Sequence, residues 1–182
     1  LFALKKIKHQ YPHCWRCHKP IIFRATSQWF CSVDDFKDAA VKAAEDVKWY
    51  PEWGKDRLQS MVVERADWCI SRQRKWGVPI PVVYCKECGK EIIDDGIMQK
   101  VSDIFGEEGS DAWFAHDAEY FLPEGFECPH CHKANGFEKE TDIMDVWFDS
   151  GSSHAAVLKN RNYLKWPADV YLEGADQYRG WF

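Results

Sequence analysis

The sequence contains no apolar run approaching the ~20 residues that a membrane-spanning helix requires. Its start carries no basic-then-apolar leader of the secretory kind. It has no internal repeat and no linker rich in Gly and Ser, and with 11 Gly and 8 Pro among 182 residues it is neither collagenous nor low in complexity. Basic residues are not in excess: 24 Lys and Arg stand against 29 Asp and Glu, for a formal charge of −5. That balance argues against a dominant basic face for nucleic acid, while leaving room for a local patch. A content of 46% hydrophobic and 29% charged residues excludes disorder as well. A chain of this length buries roughly 70% of the surface its unfolded form exposes, so it can build one core, or two small ones, without disulfides.

Two residue types are abundant. Ten Trp and an aromatic fraction of 15% supply many large anchors. Of eight Cys, six fall in C-x-x-C pairs: Cys14/Cys17, Cys85/Cys88 and Cys128/Cys131. Without a secretory leader, such pairs read as metal ligands rather than disulfides. Leu1 stands where an initiator Met would, and Phe182 falls inside an aromatic run, so the expectation is a piece of a longer protein.

Along the chain, residues 1–33 read as short extended pieces around a turn, with Ile21-Ile22-Phe23 as a strand. Ser32 or Asp34 is a candidate cap for a helix from Asp35 to Val47, with Phe36, Ala39, Ala40, Ala43, Ala44 and Val47 on its inner face. A second helix, Lys55 to Arg65, turns Leu58, Met61, Val62 and Ala66 inward. Residues 78–84 are extended because Pro79 and Pro81 exclude helix. Short strands and turns follow at the two later Cys pairs, with helical stretches at Ile97–Phe105 and Ser110–His116 between them. Next come a buried run at 143–148, a turn at Asp149–Ser153, a short helix at His154–Lys159 and a strand at Ala168–Leu172. The chain then reads into a helix near Gln177. A strand, a Gly turn and a helix start form a common ligand position in open α/β sheets.

The sharpest chemical signal is Cys85-Lys-Glu-Cys88-Gly89 together with Cys128-Pro-His-Cys131. Each pair is a thiolate knuckle, and Gly89 relaxes its turn. Two knuckles close a tetrahedral zinc site with no open position for water, which is the signature of a structural ion. The stretch from Cys88 to Cys128 exceeds the commonest spacing of roughly 15–20 residues, but it holds helices of its own. Two unrelated turns with reduced thiols are the plain alternative, and His130 or His132 could replace one sulfur. Cys14/Cys17 is a third knuckle: its partners are expected upstream of Leu1, or His13 and His18 complete it, or it binds nothing. Cys31 and Cys69 read as small core residues. Ser71-Arg72-Gln73-Arg74-Lys75-Trp76-Gly77 is either an anion-binding stretch or a solvated helix end. The segments 145–151 and 173–182 are closest in composition to a ligand site. Asp176 and Gln177 fall at a helix start, where amides can meet an anion, and Trp147 and Trp181 can wall an apolar pocket. Equally, Asp176 can be a plain cap and both Trp core residues.

Five segments carry a resemblance: Tyr-Pro-His-Cys-Trp-Arg at 11–16, Ile-Ile-Phe-Arg-Ala-Thr-Ser-Gln-Trp-Phe at 21–30, Trp-Cys-Ile-Ser-Arg-Gln-Arg-Lys-Trp-Gly-Val-Pro-Ile-Pro at 68–81, Asp-Val-Trp-Phe-Asp-Ser-Gly at 145–151 and Tyr-Leu-Glu-Gly-Ala-Asp-Gln-Tyr-Arg-Gly-Trp-Phe at 171–182. In these the chain resembles the isoleucyl-tRNA synthetases, class Ia aminoacyl-tRNA synthetases, over essentially its whole length. The block at 68–81 is shared with the valine and leucine enzymes, whereas the last block resembles the isoleucine enzymes in particular. The resemblance implies an α/β fragment: the later part of a class I Rossmann-type catalytic domain carrying an inserted, finger-like zinc-binding subdomain. Residues 1–33 would leave an editing insertion, 34–84 form a helical part of the catalytic region, 85–140 the zinc-binding insertion and 141–182 the second-half Rossmann segment with the adenylate site.

It further implies adenylate contacts from Glu173, Gly174, Asp176 and Gln177, a side-chain pocket walled by Trp147 and Trp181, and structural zinc on Cys85, Cys88, Cys128 and Cys131. The whole enzyme would use isoleucine, ATP with Mg, and tRNA(Ile), as a monomer in the cytoplasm, away from membranes. The ATP motifs His-Ile-Gly-His and Lys-Met-Ser-Lys-Ser do not occur in these residues, so the chain alone is expected to be inactive. A stand-alone zinc-ribbon module binding RNA or protein through Arg72, Arg74 and Lys75 is the reading from another class.

Overall fold

Pro79 and Pro81, set among β-branched residues, hold 78–82 extended, and this path runs beside residues 140–144. Ile80 N–H donates to the Asp142 carbonyl (3.2 Å), Met144 N–H to Val78 (2.7 Å), and Pro79 bridges Ile143. The computed structural model describes residues 2–175 and Gln177. In chain order these form β1 (Phe30–Cys31), α1 (Asp34–Ala43), α2 (Trp53–Val63), β2 (Trp68–Cys69), β3 (Ser71–Arg72), β4 (Val83–Cys85), β5 (Glu91–Ile92), α3 (Asp95–Glu108), α4 (Ala112–Ala115), β6 (Phe137–Lys139), β7 (Ile143–Met144) and α5 (Val146–Ser153). The chain is thus mixed helix and strand, with antiparallel ladders β1–β2, β3–β7 and β5–β4–β6. No helix among the described residues is long and apolar enough to cross a membrane.

The principal core lies on the three-stranded sheet. Asp94 caps α3 by accepting the Ile97 N–H at 3.0 Å. That start places Ile97 and Val101, one turn apart, on the face that packs over Val83, Ile92 and Phe137. Trp113 and Phe121 fill the centre at 4.7 Å between ring centroids, both fully buried. The Trp113 indole donates to the Glu140 carbonyl (3.0 Å), so its one polar group is satisfied. Lys139 caps the end of α4, donating to the carbonyls of Trp113 and His116.

Several expectations are corrected. Ile21-Ile22-Phe23 forms no strand and is exposed, because none of the described segments offers it a ladder partner. At α1 the inner strip is Val33, Ala40, Val41 and Ala44, which keeps Ala40 and Ala44 of the expected face and drops the rest. Phe36, Ala39 and Ala43 are exposed, because a two-helix hairpin covers one narrow stripe only, and Val47 is exposed in extended chain beyond the helical turns. Ala66 is exposed too, lying beyond the end of α2. The expected turn at Asp149–Ser153 is the second half of α5, continued by a wider π-type turn at His154–Lys159. Ser152 and Ser153 hydroxyls donate back to the Asp149 and Ser150 carbonyls (3.0 and 2.7 Å), which keeps serines in a helix. Ala168–Leu172 is in no ladder among the described residues. Cys31 is exposed and Cys69 half-buried against the Gln28 side chain, so neither is a core residue.

Candidate metal centre

β4 ends in Cys85, and the chain turns back at once. Gly89 N–H donates to the Cys85 carbonyl (2.8 Å) and Cys85 N–H to that of Lys90 (3.0 Å). Residues 128–133 repeat the turn: His132 N–H donates to Cys128 (2.8 Å) and Cys128 N–H to Lys133 (2.9 Å). In both, the residue four past the first Cys has positive φ, +70° at Gly89 and +58° at His132. Cys85 pairs with Phe137 across β4–β6, and Lys86 N–H donates to the Gly136 carbonyl (2.7 Å). That register brings the second knuckle against the first.

The result is four sulfurs within 4.8 Å of one another, with Cys85–Cys131 at 3.6 Å and Cys88–Cys128 at 3.8 Å. A tetrahedral ion with Zn–S near ~2.3 Å sets its sulfurs about 3.8 Å apart, so this donor set fits zinc. Cys85 and Cys128 are buried in the core, Cys131 is half-buried and Cys88 exposed. Burial pushes the Cys128 thiol up, but the amides of His130 and Cys131 and the neighbouring thiols outweigh it and bring it down to about 6. At Cys131 the Lys133 amide lowers the value, and burial together with Cys85, Cys128 and Cys88 overrides it, so this thiol is pushed up to about 12. One thiolate forms readily and opposes the last, which is the charge problem that a dication resolves. His130 Nε2 instead faces the Glu91 carbonyl at 3.3 Å, and neither His130 nor His132 belongs to the cluster.

Cys14/Cys17 adopts the same turn. His18 N–H donates to Cys14 (2.8 Å), Cys14 N–H to Lys19 (2.9 Å), and His18 has φ +57°. The amides of Cys17 and Arg16 lower the Cys14 thiol. Yet the four-cysteine set is the one group of three or more metal-binding side chains among the described residues, so His13 and His18 do not complete this knuckle. His13 Nδ1 lies 2.8 Å from the Tyr11 carbonyl.

The basic cluster divides. Ser71 and Arg72 are in a strand, not at a helix end, and Arg72 is held internally. Its Nη1 donates to the Cys69 and Ser71 carbonyls (2.6 and 2.8 Å) and its Nη2 to Asp145 Oδ2 (2.8 Å). Arg74 and Lys75 remain on the surface beside Trp76, which is 94% exposed. Asp145 is buried, takes the Trp68 indole N–H at 2.9 Å, and caps α5 through the Trp147 amide at 3.4 Å. Trp147 is half-buried, with the Arg65 guanidinium 5.8 Å from its ring centroid. Glu173 and Gly174 are exposed, and the Gly174 carbonyl accepts the Gln177 N–H at 3.0 Å. Asp176 and Trp181 lie outside the described residues. Glu140, which anchors several segments, has no local sequence signal that separates it from Glu138.

The family model for tRNA synthetases class I (I, L, M and V) matches residues 5–182. The chain belongs to the class I tRNA synthetases. Among curated relatives of this synthetase segment, the isoleucine–tRNA ligase of Caldicellulosiruptor bescii is 64% identical over 182 residues, covering 100% of this chain and 20% of the relative. That of Carboxydothermus hydrogenoformans is 63% identical over 185 aligned positions, with the same two coverages. That of Desulfitobacterium hafniense is 62% identical over 177 residues, 97% of this chain and 19% of the relative. The chain therefore spans about a fifth of the length of the curated relatives it matches.

Proposed function

We propose that the chain is a segment of a cytoplasmic isoleucyl-tRNA synthetase, with residues 85–140 as a zinc-bearing insertion and residues 141–182 entering the second half of a Rossmann-type nucleotide fold. The carrying observation is identity of 63–64% to isoleucine–tRNA ligases along all 182 residues. In the whole enzyme the isoleucine carboxylate attacks the α-phosphorus of ATP, and the α–β phosphoanhydride bond breaks to release pyrophosphate. The terminal ribose hydroxyl of tRNA(Ile) then takes the aminoacyl group and releases AMP. Such chemistry rests on positioning and charge stabilisation, with Mg on the phosphates. Glu173, Gly174, Asp176 and Gln177 contact the adenylate, and Trp147 and Trp181 wall the isoleucine side chain.

Zinc on Cys85, Cys88, Cys128 and Cys131 cross-links the insertion and takes no part in the reaction, since four thiolates leave no open position. Cys14 and Cys17 are half of a second site whose other ligands come from elsewhere in the parent protein. The shared knuckle turn supports this reading. The stand-alone RNA-binding ribbon is disfavoured, because Arg72, one of its three cations, is taken up by Asp145. The valine and leucine enzymes are disfavoured by the isoleucine relatives.

ATP–pyrophosphate exchange tests the reading. The whole parent protein should exchange in an isoleucine-dependent manner, and the 182-residue chain, which lacks both ATP motifs, should not. Exchange that depends on valine or leucine in preference to isoleucine would overturn it.

A further inference from the structure

Glu140 stands where the zinc-bearing sheet passes the chain on to β7, and its bonding capacity is used completely. Its Oε2 accepts the Trp29 indole N–H (2.9 Å) and the Tyr84 hydroxyl (2.6 Å). Its Oε1 accepts the amides of Thr141 (2.6 Å) and Asp142 (2.9 Å). Its carbonyl takes the Trp113 indole (3.0 Å), and its own amide donates to Val82 (2.8 Å). Four N–H and O–H donors converge on one side chain. A carboxylate can accept all four, whereas an amide would turn its NH2 toward two of them.

Asp145 repeats the arrangement on the same path. Its Oδ2 accepts the Trp68 indole, and its amide donates to the Ile70 carbonyl (2.7 Å). Trp29 and Trp68 belong to one ribbon: Trp68 pairs with Cys31 in β1–β2, and the Trp29 carbonyl takes the Ile70 N–H at 2.9 Å. The ribbon is thus fastened to residues 140–145 at two points, each an indole–carboxylate bond. Between those points the path is pinned by the Ile80–Asp142, Pro79–Ile143 and Val78–Met144 pairings. Thr141, between Glu140 and the first of these pairings, is exposed and is held through its amide by Glu140 itself.

We propose that Glu140 is a positioning residue: it sets the register at which β6 runs into β7, and so holds Asp145, and the Trp147 segment that Asp145 caps, in place relative to the zinc-bearing unit. The consequence for substrate rests on the reading above that Trp147 walls the isoleucine pocket.

The coupling is read first in the 182-residue chain labelled with 15N at its Trp indoles. Glu140→Ala should keep its zinc and shift the Trp29 indole resonance, and with it those of Trp68 and Trp147. Glu140→Gln, which retains an acceptor for Trp29 and Tyr84, should move all three part of the way. A shift confined to Trp29 overturns the proposal. In the whole parent enzyme Glu140→Ala should raise the KM for isoleucine roughly tenfold with kcat within about twofold, and Glu140→Gln should recover part of the loss. An unchanged isoleucine KM overturns the proposal. A wild-type enzyme without isoleucine-dependent exchange overturns the functional reading instead, and the indole shifts then decide the coupling alone.

Discussion

Cys88→Ser separates the metal from the packing. Cys85 and Cys128 are fully buried in the core, so replacing either removes a ligand and disturbs the interior together. Cys88 is exposed and contributes only its sulfur. If the four cysteines hold no ion, Cys88→Ser is an ordinary surface change worth about ±0.5 kcal/mol, a shift in Tm of roughly 1–2 °C at this chain length. If they hold zinc, the substitution breaks a site whose apparent binding free energy in small fingers is on the order of 10–16 kcal/mol. The net stability of a whole domain is only about 5–15 kcal/mol, so losing even a third of the metal contribution costs several kcal/mol. The two readings differ by about an order of magnitude, and the assay needs no fine resolution. Zinc per chain should be one in the wild type and close to none in the variant. The near-ultraviolet dichroism of the Phe105–Trp113–Phe121 cluster should fade in the variant at temperatures where the wild type is native. A strong chelator should do the same to the wild type. A wild type purified without chelator that holds no zinc, or a variant melting within 2 °C of it, refutes the site.

Three further outcomes follow from named contacts. Asp145→Ala strips a buried carboxylate from Arg72 and Trp68 and removes the cap of α5. It should cost about 3 kcal/mol by urea unfolding, and a cost below 1 kcal/mol would mean that the pair contributes nothing. Gly77→Ala places a Cβ 2.5 Å from the Ile143 Cδ1 at a φ of +154°, and should destabilise by about 1–3 kcal/mol through overpacking of β7. Unchanged melting would show that Ile143 can move aside. Burial would raise the Glu140 carboxyl, but hydrogen bonds from Tyr84, the Asp142 amide, Trp29 and the Thr141 amide win and hold it below its ordinary value. A depressed folded value means that its contribution is complete above the unfolded value of about 4.3 and is lost as pH falls through the folded one. The stability gap between wild type and Glu140→Gln should therefore be level near neutrality and narrow only in acid. A gap that widens on acidification contradicts the hydrogen-bond assignment.

How much of this is legible in the residues depends on the range of the interaction. The middle of α3 is readable because its determinants are local, with Ile97 and Val101 one turn apart, while the Asp94 cap and the ends at Asp95 and Glu108 go unread. α2 is found within two residues at each end for the same reason. The inner face of α1 is only partly readable: Phe36 has the right period but the narrow contact with α2 leaves it outside, and Val47 falls where the helical turns have already ended. The strand read at Ala168–Leu172 fails for a related reason. An apolar Val-Tyr-Leu run can be extended, but a ladder needs a neighbour, and no described segment supplies one. The serines of α5 mislead in the other direction. Read singly they favour a turn, yet in place the hydroxyls of Ser152 and Ser153 are taken up by carbonyls one turn back. Glu140 and Asp145 mark the limit, since their roles are fixed by indoles more than seventy positions away in sequence.

The three knuckles carry the same point into the metal chemistry. Each C-x-x-C folds into one turn, with the fourth residue after the first Cys at φ between +57° and +70° and the same two main-chain hydrogen bonds. A Gly takes that conformation without strain at position 89, while His18 and His132 take it at a cost that the hydrogen bonds must offset. The Cys14/Cys17 turn has the same main-chain hydrogen bonds as the other two, although no third ligand lies within reach among the described residues. A knuckle is therefore an offer of two thiolates, and what makes a site is the long-range register that sets two offers against each other. In this chain that register is the pairing of Cys85 with Phe137. A shift of one residue in that ladder would turn Cys85 to the opposite face of the sheet, so the four-cysteine cluster depends on the sheet register.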